Sequence, residues 1–201
     1  MGTGFCGRHY PPAAYIIVWG MLIMDIKNIS KGALFIALGV SIPQLFHSIG
    51  MGSVFLPMHI PVLLAGLLVG PITGLYVGIL TPILSYLLTG MPPVAPVPMM
   101  PIMVFELLTY GFIAGILYNK LGINIFVSLF GAMLAGRLMY GFVVYVILIF
   151  FNVKMQSPMV AVITAIQTGI IGILIQITIV PMIVKLLKGE FINVGSNIGP
   201  R

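Results

Sequence analysis

Apolar residues fill most of this chain in blocks broken by glycine, proline and lysine, and the breaks divide it into six apolar spans. Reading by runs and breakers places the spans at about residues 31–46, 58–69, 75–89, 102–118, some portion of 123–151, and 159–187. A helix needs about 20 apolar residues to cross a bilayer. Several spans are shorter, so tilt or partial penetration is expected for them. "GPITG" after span two predicts a tight turn, and "NKLG" ends span four. The connections "HSIGMGSVFLP" and "GMPPVAPVPMMP", after spans one and three, are longer and uncharged apart from a histidine. The predicted fold class is an all-α integral membrane protein of six transmembrane helices.

Composition agrees with the pattern. The chain is 60% hydrophobic and only 6% charged, whereas soluble domains carry roughly a quarter charged residues; most of its surface therefore faces lipid. The formal charge of +6 does not indicate nucleic acid, because the basic residues form no patch interleaved with aromatics. They sort by side instead. With six spans, both termini share a side with the connections after spans two and four. That side holds Lys27, Lys31, Lys120, Lys185 and Lys188, and the other holds only Lys154. Basic residues concentrate at cytoplasmic ends, so both termini are expected in the cytoplasm of a bacterium, with the chain multi-pass in its plasma membrane. Cys6 is the sole cysteine, which excludes an intrachain disulfide or a cysteine-built metal site. There is no phosphate-cradling glycine loop of the Walker type, so a chain of this kind is poorly equipped to drive transport alone.

The leader differs from the rest. Its apolar patch, residues 13–24, is too short to span, and no small-x-small cleavage site follows it. From Met24 the text becomes "MDIKNISKGALFIALGV", a short basic entry into a helix. The division expected is an N-terminal extension at residues 1–23 and a six-helix membrane domain at residues 24–201, with Met24 the physiological start. An interfacial amphipathic segment is the alternative for the leader.

Ionisable groups within the membrane are costly and face the bundle interior or a wet cavity. Two stand in the spans, Glu106 and Arg137. Thr109 and Tyr110 share a helical face with Glu106, and Tyr140 and Gly141 share one with Arg137, by spacings of three and four. Thr164, Gln167 and Thr168 form a polar stripe in span six, and His59 opens span two. The candidate binding residues are His59, Glu106, Tyr110, Arg137, Tyr140 and Gln167. Two readings compete for Arg137. It pairs with Glu106 to pin spans four and five together, or it presents its planar fork of donors to a carboxylate or polar ring of a solute; one pair can do both. His9 and His47 are weaker candidates, and no metal site is assembled from these residues. The five prolines between Met91 and Pro101 stiffen the second outer loop, which reads as a lid or pocket wall, or as a plain connection. Small residues recur four apart at Ala33/Ala37, Gly111/Gly115 and Ala132/Gly136, a spacing that lets helices approach closely in lipid.

The order of "LPMHIP", "GMPP", "FELLTYG" and "AGR", with the alanine pair in "ALFIA", resembles the substrate-binding (S) components of energy-coupling-factor (ECF) vitamin transporters. The resemblance covers residue 24 to about residue 188. It implies that the chain captures a vitamin in a pocket formed by the outer halves of its helices and the outer loops. It implies too that Ala33 and Ala37 dock on a transmembrane coupling subunit carrying two ABC ATPases, with the chain itself non-catalytic and free of cofactors. An arginine beside tyrosines suits a small heterocycle or acid with one anionic group. Niacin and pantothenate fit best, with pyridoxine or α-ribazole as further possibilities. The rival classes are a self-sufficient facilitator or channel and a small intramembrane enzyme. The second would need a nucleophile with its base, or paired carboxylates for a metal. The intact mass of the natively expressed protein is expected to correspond to a start at Met24; a mass that begins at Met1 overturns that expectation.

Overall fold

The computed structural model describes residues 26–48, 56–151 and 156–196. The leader with Met24 and His9, most of the first outer connection, and Lys154 lie outside the described residues, as do the side chains of His47 and Lys188. The described residues form helices and contain no strand: α1 (Ile26–Ser48), α2 (His59–Leu68), α3 (Pro71–Thr89), α4 (Met99–Gly115), α5 (Ile125–Phe151) and α6 (Pro158–Ser196). A π-helical turn, Ile116–Lys120, continues α4.

Five of these helices are long and apolar enough to cross a bilayer, which makes this a multi-pass membrane protein. The exception is α2. Its 10 residues rise about 15 Å at 1.5 Å each, half of a hydrocarbon core of about 30 Å. A helix that is apolar all round belongs in an interior, and Pro61 to Leu67 are all buried. The run at residues 58–69 is thus a half-length inner helix. Hydropathy registers such a run without telling an interior helix from a lipid-facing one.

Because α2 ends inside protein, the carbonyls of its last turn need donors. Asn119, from the π-turn, supplies them: its Nδ2 donates to the carbonyls of Gly66 (2.9 Å) and Leu67 (3.1 Å). The backbones of α2, α3 and α4 meet at Gly66, Gly74 and Gly111. A Cβ on Gly111 would overlap the Gly74 carbonyl, and one on Gly66 would overlap the Gly111 carbonyl. In lipid, helices associate through such close packing because no hydrophobic drive acts between them. The pair Gly111/Gly115 serves this internal contact, with Gly115 against Pro71.

On α5 the buried positions are Ser128, Leu129, Ala132, Met133, Gly136, Arg137, Tyr140, Val143, Val144 and Ile147. They repeat at three and four and so form one inward stripe. Leu134, Leu138 and Phe142 face out. On α1, Gly32, Phe35 and Gly39 turn inward while Ala33 and Ala37 are exposed beside Leu34 and Leu38. The contacts Gly32–Thr73, Gly115–Pro71 and Asn119–Gly66 gather the start of α1, the end of α2, the start of α3 and the end of α4 at one end of the bundle. Lys27, Lys31 and Lys120 sit at that end.

Gly111→Leu is expected to force α3 and α4 apart and to destabilise the protein by at least about 1–3 kcal/mol. Leu134→Ala, at a side chain 65% exposed, is expected to change stability little. Thermal unfolding in detergent compares the two, and equal midpoints would overturn the close-packing account.

Candidate functional site

At the opposite end of the bundle lies a cavity of about 660 Å³, walled by all six helices and by residues of the connections that precede α2, α4 and α6. The charged groups sit at its floor. Arg137 Nη1 lies 2.9 Å from Glu106 Oε1, and the two side chains are 9% and 3% exposed. His59 Nε2 stands 3.7 Å from the same carboxylate oxygen, too far for a hydrogen bond. The His59 ring meets Tyr110 edge to face, with centroids 5.0 Å apart and planes at 82°.

Local sequence explains these positions. His59 opens α2 halfway into the bundle, its amide donating to the Leu56 carbonyl (3.1 Å). Leu56 is held at φ 47°, a left-handed conformation that costs a leucine roughly 1–3 kcal/mol. Its side chain points toward Gly169 of α6, where a Cβ would come 2.7 Å from Leu56 Cδ1 and 3.5 Å from Arg137 Nη2. Gly136 leaves the space that the Tyr110 ring fills. Tyr110 therefore nests against α5 one residue before the arginine and backs His59.

Arg137 engages Glu106 through one nitrogen rather than through its fork. Its Nε and Nη2 have no hydrogen-bond partner among the described residues, and neither do Glu106 Oε1, His59 Nδ1 and Nε2 or Ser85 Oγ. Buried polar atoms without partners are costly; these four residues line the cavity, while Thr81 Oγ1 and Gln176 Nε2 are unpartnered away from it. Both of these Arg137 nitrogens are themselves covered by protein, so a guest reaches them only if the Arg137 side chain shifts.

The remaining walls are softer. Met91, Pro92, Pro93 and Val97 form the roof, and Met99 and Met103 form one side. The roof loop is tied at both ends. Gly90, at φ 74°, ends α3 in the left-handed conformation that glycine adopts freely. The Thr89 hydroxyl donates to the Ser85 carbonyl and accepts from Gln44 Nε2 and the Met91 amide. At the far end, the Met100 amide donates to the Pro93 carbonyl (3.1 Å). The proline-rich connection is therefore a wall of the pocket.

Of the residues singled out from sequence, His59, Glu106, Arg137 and Tyr140 line the cavity, while Tyr110 lies buried beneath it. Gln167 is exposed and outside the lining; Thr164 and Thr168 line it instead. The lining positions of α6, Ala161, Thr164, Ala165 and Thr168, cover about 100° of the helix, and Gln167 falls beyond Thr164 on the side away from them. Ser85, which lines the cavity, was not legible as a binding residue, since nothing local distinguishes it from a packing residue. Among the described residues no group of three His, Cys, Asp or Glu side chains is placed to hold a metal.

Breaking a buried pair costs about 3–5 kcal/mol because it strands the remaining charge. Arg137→Ala is expected to lose stability in that range, whereas the double variant Arg137→Met with Glu106→Leu is expected to recover most of it. Thermal unfolding checks this; a double variant as unstable as the single would overturn the pairing.

The family model for "ECF transporter, substrate-specific component" matches residues 27–184. No curated protein and no solved structure matches the chain.

Proposed function

Because the chain belongs to the substrate-specific components of ECF transporters, we propose that its cavity captures a water-soluble vitamin or vitamin precursor and that the loaded chain hands it to a transmembrane coupling subunit powered by two ABC ATPases. Niacin and pantothenate are the favoured solutes, with pyridoxine and α-ribazole behind them. The observation that carries this reading is the guanidinium of Arg137, whose Nε and Nη2 lack partners at the floor of a roofed cavity. A volume of about 660 Å³ falls within the range of small-molecule sites, roughly 300–1,000 Å³.

The membrane placement follows from charge. Lys27, Lys31 and Lys120 lie at the end away from the cavity, so that end is cytoplasmic by the positive-inside rule. Both termini are then inside and the cavity faces outward in a bacterial plasma membrane. The chain crosses six times, with α2 forming the inner half of the second crossing. Ala33 and Ala37 stand exposed on the outer face of α1 toward its cytoplasmic end. A coupling subunit can approach closely there because neither side chain extends beyond a methyl group.

Two tests address these roles. The purified chain in detergent, without ATPases, is expected to bind one vitamin selectively among niacin, pantothenate, pyridoxine, riboflavin, biotin, thiamine, folate and α-ribazole. The folded Arg137→Met/Glu106→Leu variant should bind it more than tenfold more weakly, a loss above about 1.4 kcal/mol. Unchanged affinity would make Arg137 structural. Ala33→Trp or Ala37→Trp is expected to abolish uptake in cells while leaving binding intact; loss of both, or of neither, counts against docking at α1.

A further inference from the structure

The three charged or titratable side chains at the cavity floor stand in a fixed electrical relation. Arg137 and Glu106 cancel, and the neighbouring group able to take up a positive charge is His59, whose Nε2 faces Glu106 Oε1 at 3.7 Å. The groups around His59 can be named element by element. Glu106 and Tyr110 come from α4, and Arg137 and Tyr140 from α5. Among the described residues α1, α3, α6 and the roof loop contribute only uncharged lining, such as Pro43, Ser85, Thr164 and Thr168.

A guest anion that draws the Arg137 guanidinium away from Glu106, with the side chain shifting so that its buried, unpartnered Nε and Nη2 can donate, adds one negative charge to a floor whose side chains are nine-tenths or more buried. An uncompensated charge in such surroundings costs several kcal/mol. The site has a nearby remedy. When the ligand carboxylate takes the guanidinium, Glu106 loses part of its counter-ion, and a proton on His59 Nε2 restores it. The gap of 3.7 Å closes to a charge-assisted hydrogen bond with a small movement of either side chain.

We propose that the site binds a monocarboxylic acid together with one proton, His59 taking the proton to hold Glu106 while Arg137 transfers to the ligand carboxylate. The balance is simple: one ligand anion and one solvent proton enter, no covalent bond is broken in the ligand, and the floor returns to zero net charge. A neutral ligand needs no proton. The inference rests on the capture reading above and specifies the class of solute and what accompanies it. The sign follows by linkage. A complex that holds one more proton than its separated parts forms most tightly at low pH and weakens by about tenfold per unit as pH rises.

The test is calorimetry of the full chain in detergent, with nicotinate and pantothenate as acids and nicotinamide and pantothenol as neutral counterparts. Each titration is run in two buffers of different ionisation enthalpy at one pH. An acid that binds is expected to draw about one proton from the buffer, and any neutral counterpart that binds is expected to draw none. Glu106→Gln removes the charge that demands the proton, so acid uptake of protons should vanish, the pH dependence should flatten and affinity at high pH should rise. Acid binding without proton uptake by the wild-type chain overturns the proposal and needs no variant; so does undiminished uptake in Glu106→Gln. Failure of both acids overturns it as well. If another vitamin binds selectively in that case, solute capture still stands. Solute carried across liposomes by the chain alone would instead refute the capture reading itself.

Discussion

Everything about the cavity end of this protein is organised around the need to place an arginine and a glutamate in an apolar bundle together. Neither charge is tolerable there alone, and the pair is worth keeping only if its geometry is good. The contact of 2.9 Å therefore ties α4 to α5 at one depth. It draws in the groups that support it: Tyr110 against Gly136, and His59 against both Tyr110 and the carboxylate. A purely structural pair would be expected to exhaust its donors. This one leaves Nε and Nη2 without partners in a residue that lines a cavity.

The half-length of α2 is the second constraint. A helix that crossed fully would carry its first residue to the membrane surface. At 10 residues α2 starts at the level of the ion pair, which turns an apparent interfacial histidine into a floor residue. The shortness is made possible at the other end, where Asn119 satisfies the last carbonyls and the glycine contact among α2, α3 and α4 holds the helix inside. The two ends of the protein thus do different work. The lysine-bearing end packs tightly through glycine, and the other opens into a pocket roofed by a tethered proline-rich loop.

Much of this was legible in the order of residues. Apolar blocks with breakers are enough to place helices, because lipid leaves the backbone no alternative to internal hydrogen bonding. Isolated ionisable residues mark the functional interior for a related reason, the cost of burying charge. Glu106, Arg137, His59 and Tyr140 were accessible on that ground, and the resemblance to ECF S components agrees with the family match. The sequence alone left two things undecided about those residues: whether Glu106 and Arg137 meet, and at what depth His59 lies. Both depend on how far each helix slides along its neighbours, which periodicity does not encode.

The same limit accounts for the rest. The sequence by itself determined helix, membrane and the presence of two costly charges within the spans, because each follows from the transfer energies of individual residues. Only the tertiary structure decided that α2 is a half-span, that Thr164 and Thr168 rather than Gln167 meet the cavity, and that Ser85 lines it. Those outcomes depend on which face of a helix a neighbour covers, and backbone contacts such as Gly74 on Gly111 set that between elements distant in the chain.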